Sequence, residues 1–254
     1  MKFARKYLLA LSIALVAAFI AVSMASQSPQ AQNGAVAADR EEIESIIRSY
    51  LLENPQVIID ALENYRTNME QMEQQRISQT LSDLPADLAA LGAPTAGNPD
   101  GDVMIVEFFD YNCGYCVRAA EAVQQLLDTD DNIKVTFIEY PILSESSRDA
   151  ARYALAADKQ GQYFAYHMAV MTRPGAKSVS NLERIAADLG LDVDKLRADA
   201  DSDAVSQTLA KNMELARKIG VRGTPAFVIG DRFAPGYMPF NAMKDMIDTI
   251  RAQR

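Results

Sequence analysis

The chain has 254 residues, 49% of them hydrophobic, and carries 34 acidic against 25 basic residues for a formal charge of −9. A surface of that sign repels phosphate backbones, which excludes nucleic acid as a partner. One histidine and two cysteines are too few for a closed four-ligand zinc site.

Residues 1–25 open with MKFARK and continue as an uncharged apolar run ending Ser23-Met24-Ala25, the small-x-small pattern of an export signal. A cleaved signal peptide and a periplasmic destination are expected. The run also reaches membrane-spanning length, so a retained N-terminal anchor is the alternative. Without these residues, which hold Lys2, Arg5 and Lys6 and no acid, the charge falls to −12. Residues 26–39, SQSPQAQNGAVAAD, are small and polar with no hydrophobic period and are expected to form a disordered tether.

A helical stalk is expected over residues 40–84. Ile43, Ile46, Ile47, Tyr50 and Leu51 recur at helical steps before Asn54-Pro55 breaks the pattern. A second helix runs from Pro55 to about Ser82, with Ile58, Leu62, Tyr65, Met69 and Met72 alternating four- and three-residue steps. That spacing is a short heptad seam set in very polar surroundings, and a seam so narrow needs a partner helix. Self-association is the favoured reading, and folding back onto the neighbouring helix is the alternative. Residues 85–101 are expected as a linker, because GAPTAGNPDG at 92–101 is dense in glycine and proline.

The rest, 102–254, is long enough for its own core. VMIVEFF at 103–109 reads as a strand covered on both faces, helical spacing follows from Cys116 through Ala119, Ala120, Val123, Leu126 and Leu127, and 133–138 alternates as a strand. This is a βαβ unit with Cys113 and Cys116 at its strand-to-helix turn. Residues 146–219 are an alanine-rich all-helical insertion closed by a capping Gly220. Strands at 226–229 and 232–234 around the Gly230-Asp231 turn and a last helix through Phe240, Met243, Met246, Ile247 and Ile250 complete an α/β domain.

As a staple, a disulfide across CGYC closes a four-residue loop and restricts the unfolded chain by only about 2 kcal/mol. As a metal site, two thiolates suit Cu(I) but nothing larger. As a redox couple the spacing has a mechanism. Cys113 sits at the first turn of a helix, where unpaired N–H groups favour a thiolate, while Cys116 lies one turn on, in line with the apolar face. Cys113 then attacks as the exposed thiol and Cys116 resolves. Glu107, a carboxylate inside an apolar strand, is expected to be buried, raised in pKa and able to exchange a proton with Cys116; a solvent-facing Glu107 is the alternative. His167 is assigned a packing role and no chemistry, and the methionines are read as core.

VEFFDYNCGYC at 106–116 and RGTPAFVIG at 222–230, bracketing a helical insertion, resemble the DsbA-like branch of the thioredoxin superfamily over residues 98–254. The resemblance implies a thioredoxin-like domain in which Cys113 is the nucleophile, Cys116 the resolving thiol and Glu107 the buried acid. It also implies a cis Thr224-Pro225 peptide facing the cysteines, with Thr224 offering backbone hydrogen bonds to the client. Strongly oxidising members carry Pro-His between the cysteines; Gly114-Tyr115 is similar to the disulfide isomerase DsbC and lacks the stabilising imidazole. The N-terminal helices resemble the trimerising stalk of ScsC-type isomerases. The resemblance implies a periplasmic homo-oligomer, with a trimer favoured, that uses no cofactor. It also implies action on misfolded or reduced secreted proteins and resetting by a membrane thiol reductase or oxidase. A dithiol oxidase and a periplasmic Cu(I)-binding protein using Cys113 and Cys116 remain the alternatives.

Overall fold

The computed structural model describes residues 30–253, so the expected signal peptide lies outside the described residues. The chain divides into two units, one up to Gln71 and one spanning Met72–Arg254.

The first unit consists of α1, Gln30–Glu53, and the larger part of α2, Gln56–Leu91. Asn54 and Pro55 separate them as expected; the Asn54 N–H and side-chain amide both donate to the Tyr50 carbonyl, at 2.8 and 2.9 Å, and close the end of α1. The tether is a correction, because α1 already begins at Gln30. Alanines 31, 35, 37 and 38 have the highest helix propensity, and a helix nucleated downstream extends through them at little cost. No helix among the described residues is long and apolar enough to cross a membrane.

Most of the large apolar side chains described in this unit face solvent, with Leu51 half-buried. From Ile43 to Met69, the exposed large side chains on α1 and α2 range from 41% exposed at Val57 to 76% at Leu52. The expected seam residues Ile58, Leu62, Tyr65 and Met69 are all among them, and packing back onto the neighbouring helix does not cover them.

The second unit holds a five-stranded sheet in the order β1-β3-β2-β4-β5, with β1 Thr95–Gly97, β2 Val103–Phe109, β3 Ile133–Glu139, β4 Ala226–Ile229 and β5 Arg232–Pro235. The parallel β2–β3 pair is connected by α3, Gly114–Thr129; the other neighbours are antiparallel. The insertion is helical from α4, Glu145–Asp158, through α5, Tyr163–Thr172, α6, Val179–Asp188, α7, Val193–Ala200, and α8, Asp203–Ile219. Gly220, at φ 92°, ends α8 in the left-handed conformation. The chain closes with α9, Phe240–Ala252.

Strand alternation sorts β2 between two cores. Val103, Ile105 and Phe109 face one cluster with α3, α9 and the insertion. Val106 and Phe108 face the other, where Leu81, Leu84 and Leu88 of α2 meet Leu215, Ala216 and Ile219 of α8. The expected stalk boundary at 84 and the linker at 85–101 therefore need correction. The last turns of α2 belong to the second unit, pass through Pro85 to Leu91, and are followed by β1. Pro85 removes one helix hydrogen bond, but Leu84 and Leu88 on either side are anchored under the sheet at about 1.5–3 kcal/mol of burial each.

Candidate active site

β2 delivers the chain to the site. Cys113 is the N-cap of α3, its backbone extended at φ −84° and ψ 114°, and its side chain makes no capping bond to the helix. Its N–H donates to the Asp110 carbonyl at 3.0 Å, and its carbonyl accepts from Cys116 N–H at 2.9 Å and Val117 N–H at 3.2 Å. As the N-cap residue, Cys113 stands at the end of α3 where the unpaired N–H groups of a helix lie. Both cysteines are free.

The expected exposed attacker is more sheltered than the sequence suggests. Cys113 is only 8% exposed and Cys116 not at all. What covers Cys113 is the loop before β4: its Sγ donates to the Thr224 carbonyl at 3.2 Å, and Thr224-Pro225 is a cis peptide. The two motifs, more than a hundred residues apart, thus meet at one sulfur. Among the described residues the Thr224 N–H has no hydrogen-bond partner. Gly114 and Tyr115 are both exposed, and Tyr115 projects from the first turn of α3.

Glu107 occupies the same face of β2 as Ile105 and Phe109, the face on which α3 carries Cys116. It is fully buried, and its cross-strand neighbours are Phe137 and Phe227. Neither carboxyl oxygen has a hydrogen-bond partner among the described residues. Burial without compensation pushes its pKa up to about 8. The solvent-facing alternative for Glu107 is thereby removed. Cys116 is held well above the ordinary thiol range, first by burial, against a lowering backbone hydrogen bond from Asp110; contact with Cys113 and the charge of Glu107 raise it further.

Several groups that shape the site escaped sequence reasoning. Asp110, also buried, uses its whole carboxylate: Oδ1 accepts from Asn112 N–H at 2.8 Å and the Ser147 hydroxyl at 2.6 Å, while Oδ2 accepts from the N–H groups of Ile142 and Leu143 at 2.8 and 2.9 Å. Asn112 Nδ2 lies 2.9 Å from Ser144 Oγ and Ser147 Oγ. These bonds fix the loop after β3 and the start of α4 to the cysteine turn. The only available signal was a polar DYN following directly on the apolar strand.

Behind them lies a buried cluster. Tyr111 and Tyr163 donate to Glu139 Oε1 at 3.0 and 2.8 Å, and the Tyr111 hydroxyl lies 3.1 Å from His167 Nδ1. With the Tyr111 hydroxyl donating to Glu139, its oxygen is left to accept from His167, which assigns the imidazole proton to Nδ1; Nε2 has no partner among the described residues. Burial drops the His167 pKa to about 3 and holds Glu139 well above the carboxylate range. His167 also stacks with Tyr163 and meets Phe109 edge-on, the packing role expected of it. No group of three or more histidine, cysteine, aspartate or glutamate side chains placed to hold a metal ion occurs among the described residues.

The chain matches the family described as DSBA-like thioredoxin domain over residues 104–248 and the copper resistance protein ScsC N-terminal domain over residues 39–71. A thioredoxin-like oxidoreductase from Silicibacter pomeroyi DSS-3 is 46% identical, with a TM-score of 0.61, covering 63% of this chain and 92% of that one. A linker-deletion mutant of Proteus mirabilis ScsC is 25% identical with a TM-score of 0.65 and covers 86% of this chain and 97% of its own. Among curated relatives, the Na(+)/H(+) antiporter NhaA of Herminiimonas arsenicoxydans is 31% identical over 70% of this chain. The chain spans only 29% of that relative's length and 24% and 22% of two Salinispora antiporters.

Proposed function

This chain belongs to the family of DSBA-like thioredoxin domains, and from that premise we propose that it is an exported protein disulfide isomerase whose Cys113 and Cys116 reshuffle incorrect disulfides in secreted clients. The family and the dithiol at the head of α3 make it a thiol–disulfide oxidoreductase. The isomerase reading rests on one observation: the first unit, which matches the ScsC N-terminal domain, carries an apolar seam left open to solvent. That seam supports assembly into an oligomer, with a trimer favoured, in which several dithiols act on one client. Gly114-Tyr115 supports the same reading, because it brings no imidazole to the Cys113 thiolate.

The Cys113 thiolate attacks a client disulfide, forming a Cys113–client bond as the other client sulfur leaves as a thiolate. A second client thiolate then attacks the bonded client sulfur, creating the new pairing and returning Cys113 as a thiolate, with no net transfer of electrons. If the mixed disulfide persists, Cys116 attacks Cys113, its proton passes to Glu107, and the client leaves reduced. Thr224 pairs with the extended client through its open N–H, and Pro225 holds that loop against the dithiol. The resulting Cys113–Cys116 disulfide is reset by a membrane thiol reductase; a membrane oxidase would serve the opposite role if the protein worked as a dithiol oxidase. The periplasmic location rests on the signal pattern of residues 1–25.

Cys113→Ser should abolish refolding of a scrambled multi-disulfide substrate while leaving the circular dichroism spectrum unchanged. Refolding at the wild-type rate would refute the proposal. Turnover in chelator-treated buffer separates it from a Cu(I)-binding protein, which would bind the ion and turn nothing over.

A further inference from the structure

A groove of about 950 Å³ begins at Thr224 and Pro225 and is lined by Arg76, Arg217 and Arg222 and, among the described residues, by no aspartate or glutamate. All of it belongs to the second unit. In a chain with nine more acids than bases, three arginines around one concavity set it apart. All three are exposed. Arg217 donates from Nε to the Met213 carbonyl at 3.3 Å, and Arg76 reaches the Lys218 carbonyl, so both are held by backbone at the groove wall. Arg222 makes no ion pair among the described residues. It is two residues before Thr224, whose carbonyl meets Cys113 Sγ.

We propose that this groove selects client segments carrying acidic side chains next to the reacting cysteine. The inference rests on the oxidoreductase reading and names its substrate class. An extended client segment advances about 3.3 Å per residue. One whose sulfur sits at Cys113 and whose backbone runs along residues 222–224 therefore places its next few side chains over the arginines. Guanidinium groups pair with carboxylates in a two-pronged geometry that lysines do not offer. Local positive charge also raises the encounter rate of an acidic segment that the rest of this surface repels.

The experiment uses the reduced full chain and three symmetrical peptide disulfides, with the cysteine flanked by glutamate, glutamine or lysine. In each reaction the Cys113 thiolate displaces one peptide thiolate and Cys116 displaces the second. Protein dithiol and peptide disulfide become protein disulfide and two peptide thiols, which are quantified after acid quench. At low salt the glutamate peptide should react about three- to tenfold faster than the glutamine peptide and the lysine peptide slower, the range for two or three exposed charge pairs. About 0.5 M NaCl should erase the ratio. Arg217→Gln with Arg222→Gln should bring it close to one while the glutamine peptide keeps its rate. A wild-type ratio near one, a ratio that survives high salt, or a ratio unchanged in a folded double variant would overturn the proposal. Should the double variant fail to fold, the salt dependence of the wild type decides. Absence of exchange with every peptide would instead overturn the oxidoreductase reading, and this one with it.

Discussion

At the scale of single residues, Glu107 and His167 set opposite slopes on stability. Glu107 is raised to about 8 in the folded chain against about 4.5 when unfolded. Above pH 4.5 the unfolded state therefore releases a proton that the folded state keeps, and stability is lost as pH rises towards 8. His167 is lowered to about 3 from 6.5. Below pH 6.5 the unfolded state gains a proton that the folded state refuses, and stability is lost as pH falls towards 3. Both shifts have one cause, burial, and act at separate groups, so the pH profile should have two independent limbs. Glu107→Gln should flatten the alkaline limb, its melting temperature gaining on wild type between pH 5 and pH 8, without altering the acidic limb. Parallel melting curves across that range would show that Glu107 does not titrate there. In the mechanism only the deprotonated fraction of Glu107, which grows as pH rises towards 8, accepts the Cys116 proton, so the variant should slow resolution of the mixed disulfide more than its formation and remove that pH dependence.

At the scale of elements, the end of α2 decides where the catalytic unit begins. Leu84 is completely buried and packs with Leu81 and Leu88 beneath Val106, Phe108 and Ile138. Leu84→Ala should cost about 2–5 kcal/mol in chemical denaturation, whereas a helix serving only as a stalk would lose almost nothing. How much of this was legible follows from range. Strands 103–109 and 226–229, the amphipathic α3 and the Gly220 cap were readable because each depends on neighbours within a few positions. The burial of Glu107 was readable from its place inside a continuous apolar strand. The far end of α2 was not, since 81, 84 and 88 are also helical spacing for a seam, and only the distant Leu215 and Ile219 reveal which surface they cover. Asp110 was missed for the same reason, as its four donors come from 112, 142, 143 and 147. Sequence reading placed Thr224-Pro225 only through resemblance, because no local pattern shows that 224 meets 113.

At the scale of the whole molecule, the proposed function ties assembly to activity through the open seam. Ile58, Leu62, Tyr65 and Met69 are each at least 46% exposed in the single chain. An apolar stripe of that kind on a soluble helix marks an interaction surface. Because residues 72–91 belong to the catalytic unit, removing the stalk means deleting 38–71; a deletion to 90 would also take Leu81, Leu84 and Leu88 out of the core. The 38–71 deletion, and separately Leu62→Glu with Tyr65→Glu in the full chain, should each give a monomer by light scattering. Isomerisation needs a client to be held while its bonds are exchanged, and sites joined in one assembly raise the effective concentration of the second encounter into the millimolar range. Refolding of scrambled substrate should therefore fall at least about tenfold in both variants. Oxidation of a simple dithiol peptide, which needs one encounter with one Cys113–Cys116 disulfide, should keep its wild-type rate. The glutamate variant carries the whole catalytic unit unaltered, so loss of both activities together would point to misfolding and be visible by circular dichroism. A multimeric mass that survives both changes, or isomerase activity that survives monomerisation, would separate the seam from the function assigned to it.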